Sequence, residues 1–334
     1  MKQDAHFGSY VSAWEGWALD ARLRRRGSSG GVLTALNSFL LQDNSSRRII
    51  ATVSDPSAPV RSIPLTLTTR EEVEASAGSR YAPVSNLQVL GDSSPDDVLV
   101  GKPCEVAAAR QTFELKDRGA NRPLLLSFFC AGTPSQNATN TLIEKLGMNP
   151  SAVVDLRYRG NGWPGEFTAE DVSGNTATMS YHQSWGGHLG RHLQWRCKLC
   201  PHGTGDHADI AVGDYWRSDG RGYPVFDSGD GNSVIIARTL RGHELLLRAR
   251  AAGVLAMTNL DLDRLRSVQP LQVKRISTLW ARLAGRLLAG HRIPVYRGFA
   301  LTRRAIVDPK LTVRTIVGTW LRSARLGRRT TDDG

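Results

Sequence analysis

The chain predicts a mixed α/β (α+β) fold: a parallel α/β core, an antiparallel part and a basic, helical C-terminal extension. Three observations carry this. Short apolar runs are followed by turn residues and then by helical spacing, twice over, as parallel strand–helix units require. A middle stretch alternates apolar and polar residues, as half-buried strands do. Residues 271–334 interleave Leu, Ile, Val and Trp with Arg.

Taken in order, residues 31–41 place Val32, Leu36, Phe39 and Leu40 at helical spacing. Before them, Arg26-Gly27-Ser28-Ser29-Gly30 is a small-residue loop whose serines are suited to capping the helix. Free N–H groups and the helix dipole make such a start a phosphate seat as well as a plain cap. Residues 48–53 read as a strand. Residues 98–100 read as a short buried strand, with an Ala-rich helix starting at Glu105. Residues 124–129 are another buried strand, followed by Gly132-Thr133-Pro134-Ser135 and a helical stretch to Leu146. Residues 150–185 alternate like antiparallel strands. Residues 233–238 then read as a strand and the stretch from Gly242 as a helix.

The chain has 334 residues, 40% of them hydrophobic, enough for one large domain or two smaller ones. No apolar run approaches the ~20 residues that span a bilayer. The N-terminus has no apolar signal core, so a cytoplasmic setting with reduced thiols is expected. The net charge is +12, and residues 271–334 carry 14 Lys and Arg against 3 Asp and Glu. The remainder is nearly neutral. The basic charge therefore reads as a docking appendage, for an anionic membrane surface or an acidic partner. Nucleic acid is an unlikely partner, because charge is not spread around a working site.

Four cysteines are the whole complement: Cys104, Cys130 and the C-x-x-C pair Cys197 and Cys200. Cys104 and Cys130 each follow a predicted parallel strand, at the sheet edge where open α/β sheets bind ligands. Four thiolates make one structural zinc site or one iron–sulfur cluster. Zinc usually takes two close pairs, whereas two of these cysteines are isolated and follow buried strands, which favours the cluster. The antiparallel part, with the C-x-x-C just after it, is then the cluster-binding part. Five histidines, His182, His188, His192, His202 and His207, crowd the same region. They suit a polar loop, metal binding or proton transfer.

Six ordered segments resemble the coenzyme F420 hydrogenase/dehydrogenase beta subunit family, which includes the formate dehydrogenase beta subunit and 7-hydroxymethyl chlorophyll a reductase. They are Ser28-Ser29-Gly30-Gly31, Gly78-Ser79-Arg80-Tyr81, Val100-Gly101-Lys102-Pro103-Cys104, Phe129-Cys130-Ala131-Gly132-Thr133-Pro134-Ser135, Arg196-Cys197-Lys198-Leu199-Cys200-Pro201, and Ala208-Asp209-Ile210-Ala211-Val212-Gly213-Asp214-Tyr215-Trp216. The resemblance implies an oxidoreductase subunit with FAD and one [4Fe–4S] cluster. Residues 8–95 would be an FAD-binding region, residues 96–255 an iron–sulfur and flavin region, and residues 271–334 a tail outside the family's segments.

By the same resemblance, Ser28, Ser29, Gly30 and Gly31 wrap the FAD and Gly78, Ser79, Arg80 and Tyr81 form a second wall. Gly101, Lys102, Gly132, Thr133 and Ser135 approach it, while Cys104, Cys130, Cys197 and Cys200 hold the cluster. Arg80 and Lys102 are expected to neutralise a pyrophosphate or an anionic substrate tail. His188, His192 and His202 are the candidate catalytic proton donors. The substrate is expected to be a deazaflavin, with reduced coenzyme F420 as candidate, or a small organic molecule. The sequence holds no ferredoxin-like cysteine series, so an electron-transfer protein partner is expected. Ala131 and His202 stand where many relatives have His and Asp, which bears on substrate identity. The competing expectation is a non-enzymatic, zinc-stabilised module whose basic tail binds an acidic partner or nucleic acid.

Overall fold

The computed structural model describes residues 1–91, 93–119, 121–216 and 229–329, with side chains through residue 324. The last five residues of the basic extension lie outside it. The strands are β1 (Lys2–Asp4), β2 (Gly8–Tyr10), β3 (Ser12–Ala18), β4 (Arg48–Asp55), β5 (Ala58–Leu67), β6 (Asp97–Gly101), β7 (Leu124–Phe128), β8 (Val153–Arg157), β9 (Glu166–Asp171), β10 (Thr176–Ser180), β11 (Ile210–Asp214), β12 (Ser233–Ala237) and β13 (Leu255–Asn259). The α-helices are α1 (Ala21–Arg26), α2 (Val32–Gln42), α3 (Arg70–Ala75), α4 (Pro103–Leu115), α5 (Gln136–Lys145), α6 (Trp195–Lys198), α7 (Leu240–Ala251), α8 (Leu262–Val268), α9 (Pro270–Ser277), α10 (Leu279–Leu288), α11 (Leu301–Val307) and α12 (Pro309–Arg329).

Among the described residues one eight-stranded sheet runs in the order β13-β3-β12-β11-β7-β6-β4-β5. Its centre, β11, β7, β6 and β4, is parallel, and the flanking strands are antiparallel. The strands read as unbroken apolar runs because both faces are covered. Successive residues serve opposite cores: Leu124 and Leu126 of β7 pack with Leu36, Leu40 and Leu246, while Leu125 packs with Val106, Ala109 and Phe113. Ile235 of β12 joins the first core, whereas Val234 and Ile236 pack with Phe7 and Leu265. The sheet takes strands from both sides of residue 95, so residues 8–95 and 96–255 share one core.

A separate three-stranded antiparallel sheet, β10-β9-β8, packs its inner face, Leu156, Phe167 and Ala169, against Leu142 and Ile143 of α5. The C-x-x-C lies outside it, on α6 and the loop that follows. The C-terminal extension is helical, and α10 and α12 touch at Gly285, which lies against the Ile316 carbonyl and Thr319. No helix of the described residues is long and apolar enough to cross a membrane.

Candidate functional site

The parallel strands deliver the first two cysteines to their carboxyl edge. β6 ends at Gly101, and Cys104 follows in the first turn of α4, which Pro103 opens. β7 ends at Phe128, and the next loop is pinned by Phe129 N–H on Val212 O (2.8 Å) and Cys130 N–H on Gly203 O (2.9 Å). That second bond sets the Cys130 loop beside the loop after the C-x-x-C. Each of Cys104, Cys130 and Cys200 responds to the charge of at least one other cysteine, and Cys197 acts on all three.

The sulfurs receive backbone donors. Thr133 N–H points at Cys197 Sγ (3.4 Å), Gly132 N–H at Cys130 and His202 N–H at Cys200. Burial pushes the Cys130 thiol up to about 12, against the pull of Arg275 and the Gly132 N–H. Burial also raises Cys200, and desolvation together with the Cys200 charge raises Cys104, which lies nearest the surface. Among the described residues no three His, Cys, Asp or Glu side chains converge tightly enough to hold a single ion.

Part of the basic extension, α9 and α10, contributes to this centre directly. α9 and its N-cap residue Gln269 turn three buried polar side chains, Gln269, Gln272 and Arg275, inward at a spacing of three. Gln269 donates to Asp214 O (2.7 Å) and Gln272 to Cys130 O (3.4 Å). Arg275 donates to Cys130 O and Cys197 O, both at 2.5 Å. Arg282 of α10 donates to Lys198 O and Arg275 O. A Cβ at Gly203 would meet the Gln272 amide oxygen, so a larger residue there would push that side chain aside. A cleft of about 200 Å³ opens beside Cys197, lined in part by Trp195, Lys198, Arg275, Arg282 and Arg322.

A second site forms around the serine loop between α1 and α2. Ser79 Oγ–H donates to Ser28 Oγ (2.8 Å), which joins the two predicted flavin walls. Ser29 Oγ–H donates to Asn232 O (2.5 Å), and Gly30 N–H donates to Ser233 Oγ (2.9 Å). The serines do not cap α2. Its N-cap is Gly31 in the left-handed conformation (φ 70°), where a Cβ would meet Leu23 O, and no side chain accepts from the first turn. Among the described residues the first turn of this helix has no side-chain cap.

Three arginines lie around this loop: Arg26, which opens it, and Arg157 and Arg159, which sequence reasoning did not single out. Arg26 Nε, Arg157 Nη1 and Arg159 Nη2 are buried without a hydrogen-bond partner among the described residues. Arg157 Nη1 lies against Gly160 and Gly78, and burial, reinforced by the Arg26 charge, lowers its pKa. Gly162 N–H donates to Arg25 O (2.8 Å), which fixes the turn after β8 on the serine loop. Arg159 pairs with Asp214 (2.6 Å) and lies over Trp163 and Tyr181; burial opposes its charge, but Asp214 and neighbouring tyrosines keep it protonated. Tyr81 packs on Trp185, with ring centres 4.6 Å apart.

Other predicted residues are placed differently. Arg80 is not the anion cation expected: it donates to Ser62 Oγ and to the carbonyls of Pro59, Arg61 and Leu156, clamping β5 to β8. Lys102 is committed to Glu105 (2.9 Å) and Val84 O (2.8 Å), and the Gly101 carbonyl accepts from Ser127. Gly132, Thr133 and Ser135 lie on the cysteine side, with Ser135 N–H on His192 O and Gln194 N–H on Thr133 O. His188 and His192 stack on each other; His188 Nε2 meets Ala138 O, and burial lowers its pKa. His202 packs against His207 and Phe299 and is likewise lowered by burial. Asp209 is bound by Arg122 through two bonds (2.7 and 2.8 Å) inside the sheet, a structural role.

Residues 13–91 match the N-terminal part, and residues 98–263 the C-terminal part, of the coenzyme F420 hydrogenase/dehydrogenase beta subunit. The coenzyme F420 hydrogenase subunit beta of Methanococcus voltae is 24% identical over 265 residues, or 76% of this chain and 86% of that protein. A chain of the xenon-derivatised F420-reducing [NiFe] hydrogenase complex from Methanosarcina barkeri shares the fold. The TM-score is 0.64 at 22% identity, with 85% of this chain and 96% of that chain covered. With both matched segments spanning the sheet, the serine loop and all four cysteines, the chain belongs to the coenzyme F420 hydrogenase/dehydrogenase beta subunit family, a family of oxidoreductase subunits.

Proposed function

We propose that the chain is a flavin- and [4Fe–4S]-dependent oxidoreductase subunit. It passes electrons between a hydride donor, with reduced coenzyme F420 as the first candidate, and a one-electron protein partner. The reading is carried by the placement of Cys104 and Cys130 after neighbouring parallel strands at one sheet edge, by Arg275 tying the Cys130 loop to Cys197, and by N–H donors on three of the sulfurs. Such donors and burial are what tune a cluster.

The residues fit the absent groups. Arg26, Arg157 and Arg159 supply orphaned donors beside Ser28, Ser79 and the uncapped start of α2, which suits the pyrophosphate of FAD. When bound, a flavin exchanges hydride with an organic donor and releases electrons singly, and a cluster carries them one at a time. The chain's own residues seat the anion, hold four thiolates and exclude water around Cys130. Burial lowers the pKa of His188 and His202, so any proton those two handle at neutral pH would be accepted rather than given.

The cationic cleft beside Cys197 is where an acidic electron carrier would approach. α12 supplies a second surface. Its inward face is Thr319 and Ser323, while Val313, Val317, Trp320 and Leu321 face outward at helical spacing beside Arg314 and Arg322. That inverted arrangement suits peripheral binding of a cytoplasmic protein to an anionic membrane.

The test is anaerobic purification with an absorption spectrum and iron, zinc and flavin content. Flavin bands with about four irons per chain support the reading. Zinc without flavin would sink it and favour the binding module.

A further inference from the structure

Arg275 is buried and Arg282 half-buried beside the cysteines, and neither has a carboxylate partner among the described residues. A buried guanidinium without a counter-charge is costly, and here a second guanidinium lies adjacent, since Arg282 donates to the Arg275 carbonyl. Burial and the Arg275 charge pull Arg282 down to about 10, the direction expected of positive charge that lacks compensation. The acidic groups both face are thiols: Arg275 acts on Cys130 and Cys200, and Cys200 acts on Arg282. A four-thiolate iron–sulfur cluster carries net negative charge and would supply the missing partner.

α9 and α10 lie beyond the family-matched residues 98–263. Even so, Arg275 bridges the two cysteine loops through the carbonyls of Cys130 and Cys197, so one side chain fixes the distance between two ligands. We propose that Arg275 is the positioning residue and fixed charge that raises the reduction potential of a cluster held by Cys104, Cys130, Cys197 and Cys200, with Arg282 adding to it. Net charge and hydrogen bonding around the sulfurs are the protein's main controls on that potential. The inference rests on the cluster reading of the preceding section.

The test is a redox titration followed by electron paramagnetic resonance on the full chain reconstituted anaerobically. Wild type is compared with Arg275→Gln, Arg275→Lys and Arg282→Gln, with iron counted in each. Arg275→Gln is expected to keep its iron and shift to a lower potential. Arg275→Lys should return most of the way to wild type, and Arg282→Gln should show a smaller downward shift. If Arg275→Gln fails to fold or load, the Arg282→Gln potential decides the matter. Full iron with an unmoved potential in Arg275→Gln, or in Arg282→Gln where Arg275→Gln does not load, overturns this inference alone. A wild-type chain that takes up no iron overturns the cluster reading and this inference with it.

Discussion

The hydroxyl of Ser79 rests on that of Ser28, 2.8 Å away across 51 residues of chain. The contact closes the serine loop against the segment after α3, and it makes two distant motifs one wall. Replacing either serine by alanine removes one hydroxyl from the proposed flavin seat. A net hydrogen bond is worth about 1 kcal/mol, so FAD should bind roughly five- to tenfold more weakly. Fluorescence titration of flavin-depleted protein measures this, and unchanged affinity in both variants would place the flavin elsewhere.

Arg157 Nη1 has no hydrogen-bond partner among the described residues, so its loss should cost binding rather than folding. Arg157→Gln is expected to weaken FAD binding by more than tenfold, since a bond to a charged group is worth about 1.5–3 kcal/mol. The thermal midpoint should move little. A large fall in the midpoint at unchanged flavin affinity would make Arg157 structural.

Cys130→Ala should abolish cluster assembly while sparing flavin, because the serine loop takes no support from that thiol. Iron content and flavin content are measured on the same sample. Loss of both together would show that the two sites are not separable.

The Arg122–Asp209 pair predicts acid sensitivity. Burial works to raise the Asp209 carboxyl, but Arg122, the Leu125 N–H and the Thr239 hydroxyl outweigh it and hold it below the usual 3.8. Its stabilisation is therefore complete above that value and is lost as pH falls through the lower folded value. Asp209→Ala leaves Arg122 buried and unpaired and should cost roughly 3–5 kcal/mol. Urea unfolding at neutral pH checks the size, and unfolding near pH 3 should show the difference between the proteins shrinking.

Trp320 lies in the outward stripe of α12 at 42% exposure, beside Arg322. Co-sedimentation with vesicles containing anionic lipid should retain the wild-type chain and release Trp320→Glu, with folding unaffected. Equal sedimentation of both, or of neither, would remove the membrane surface and leave the stripe for a protein partner.

The parallel units were legible because a strand followed by a small-residue turn and a helix has a strong local signature. β6-α4-β7 and the placement of Cys104 and Cys130 follow from it. β3 was not read, since Trp14, Glu15 and Gly16 break strand alternation, yet β12 and β13 pair on either side of it. The serine motifs were legible as a site, but the cations serving it were not. Arg80 stood inside a motif and was assigned the anion, whereas the fold spends it on carbonyls. Arg26 opens the serine loop without being given a role there, Arg157 and Arg159 stand in no motif, and only tertiary packing of the turn after β8 on the serine loop brings the three together. The arginines of the extension were read as one charge total, which hides that α9 turns Arg275 inward. The spacing of Gln269, Gln272 and Arg275 on one helical face was the available signal.

The Arg275 bridge also bears on the order in which the protein is made. The ribosome completes Cys200 well before it reaches α9, so a nascent chain can hold all four thiols while nothing yet spans the Cys130 and Cys197 loops. Until α9 emerges and packs, the thiols face a more open and less positive surrounding. Metal delivery before that moment and metal delivery after it are therefore chemically different events, the first to a loose set of ligands and the second to a closed, cationic one.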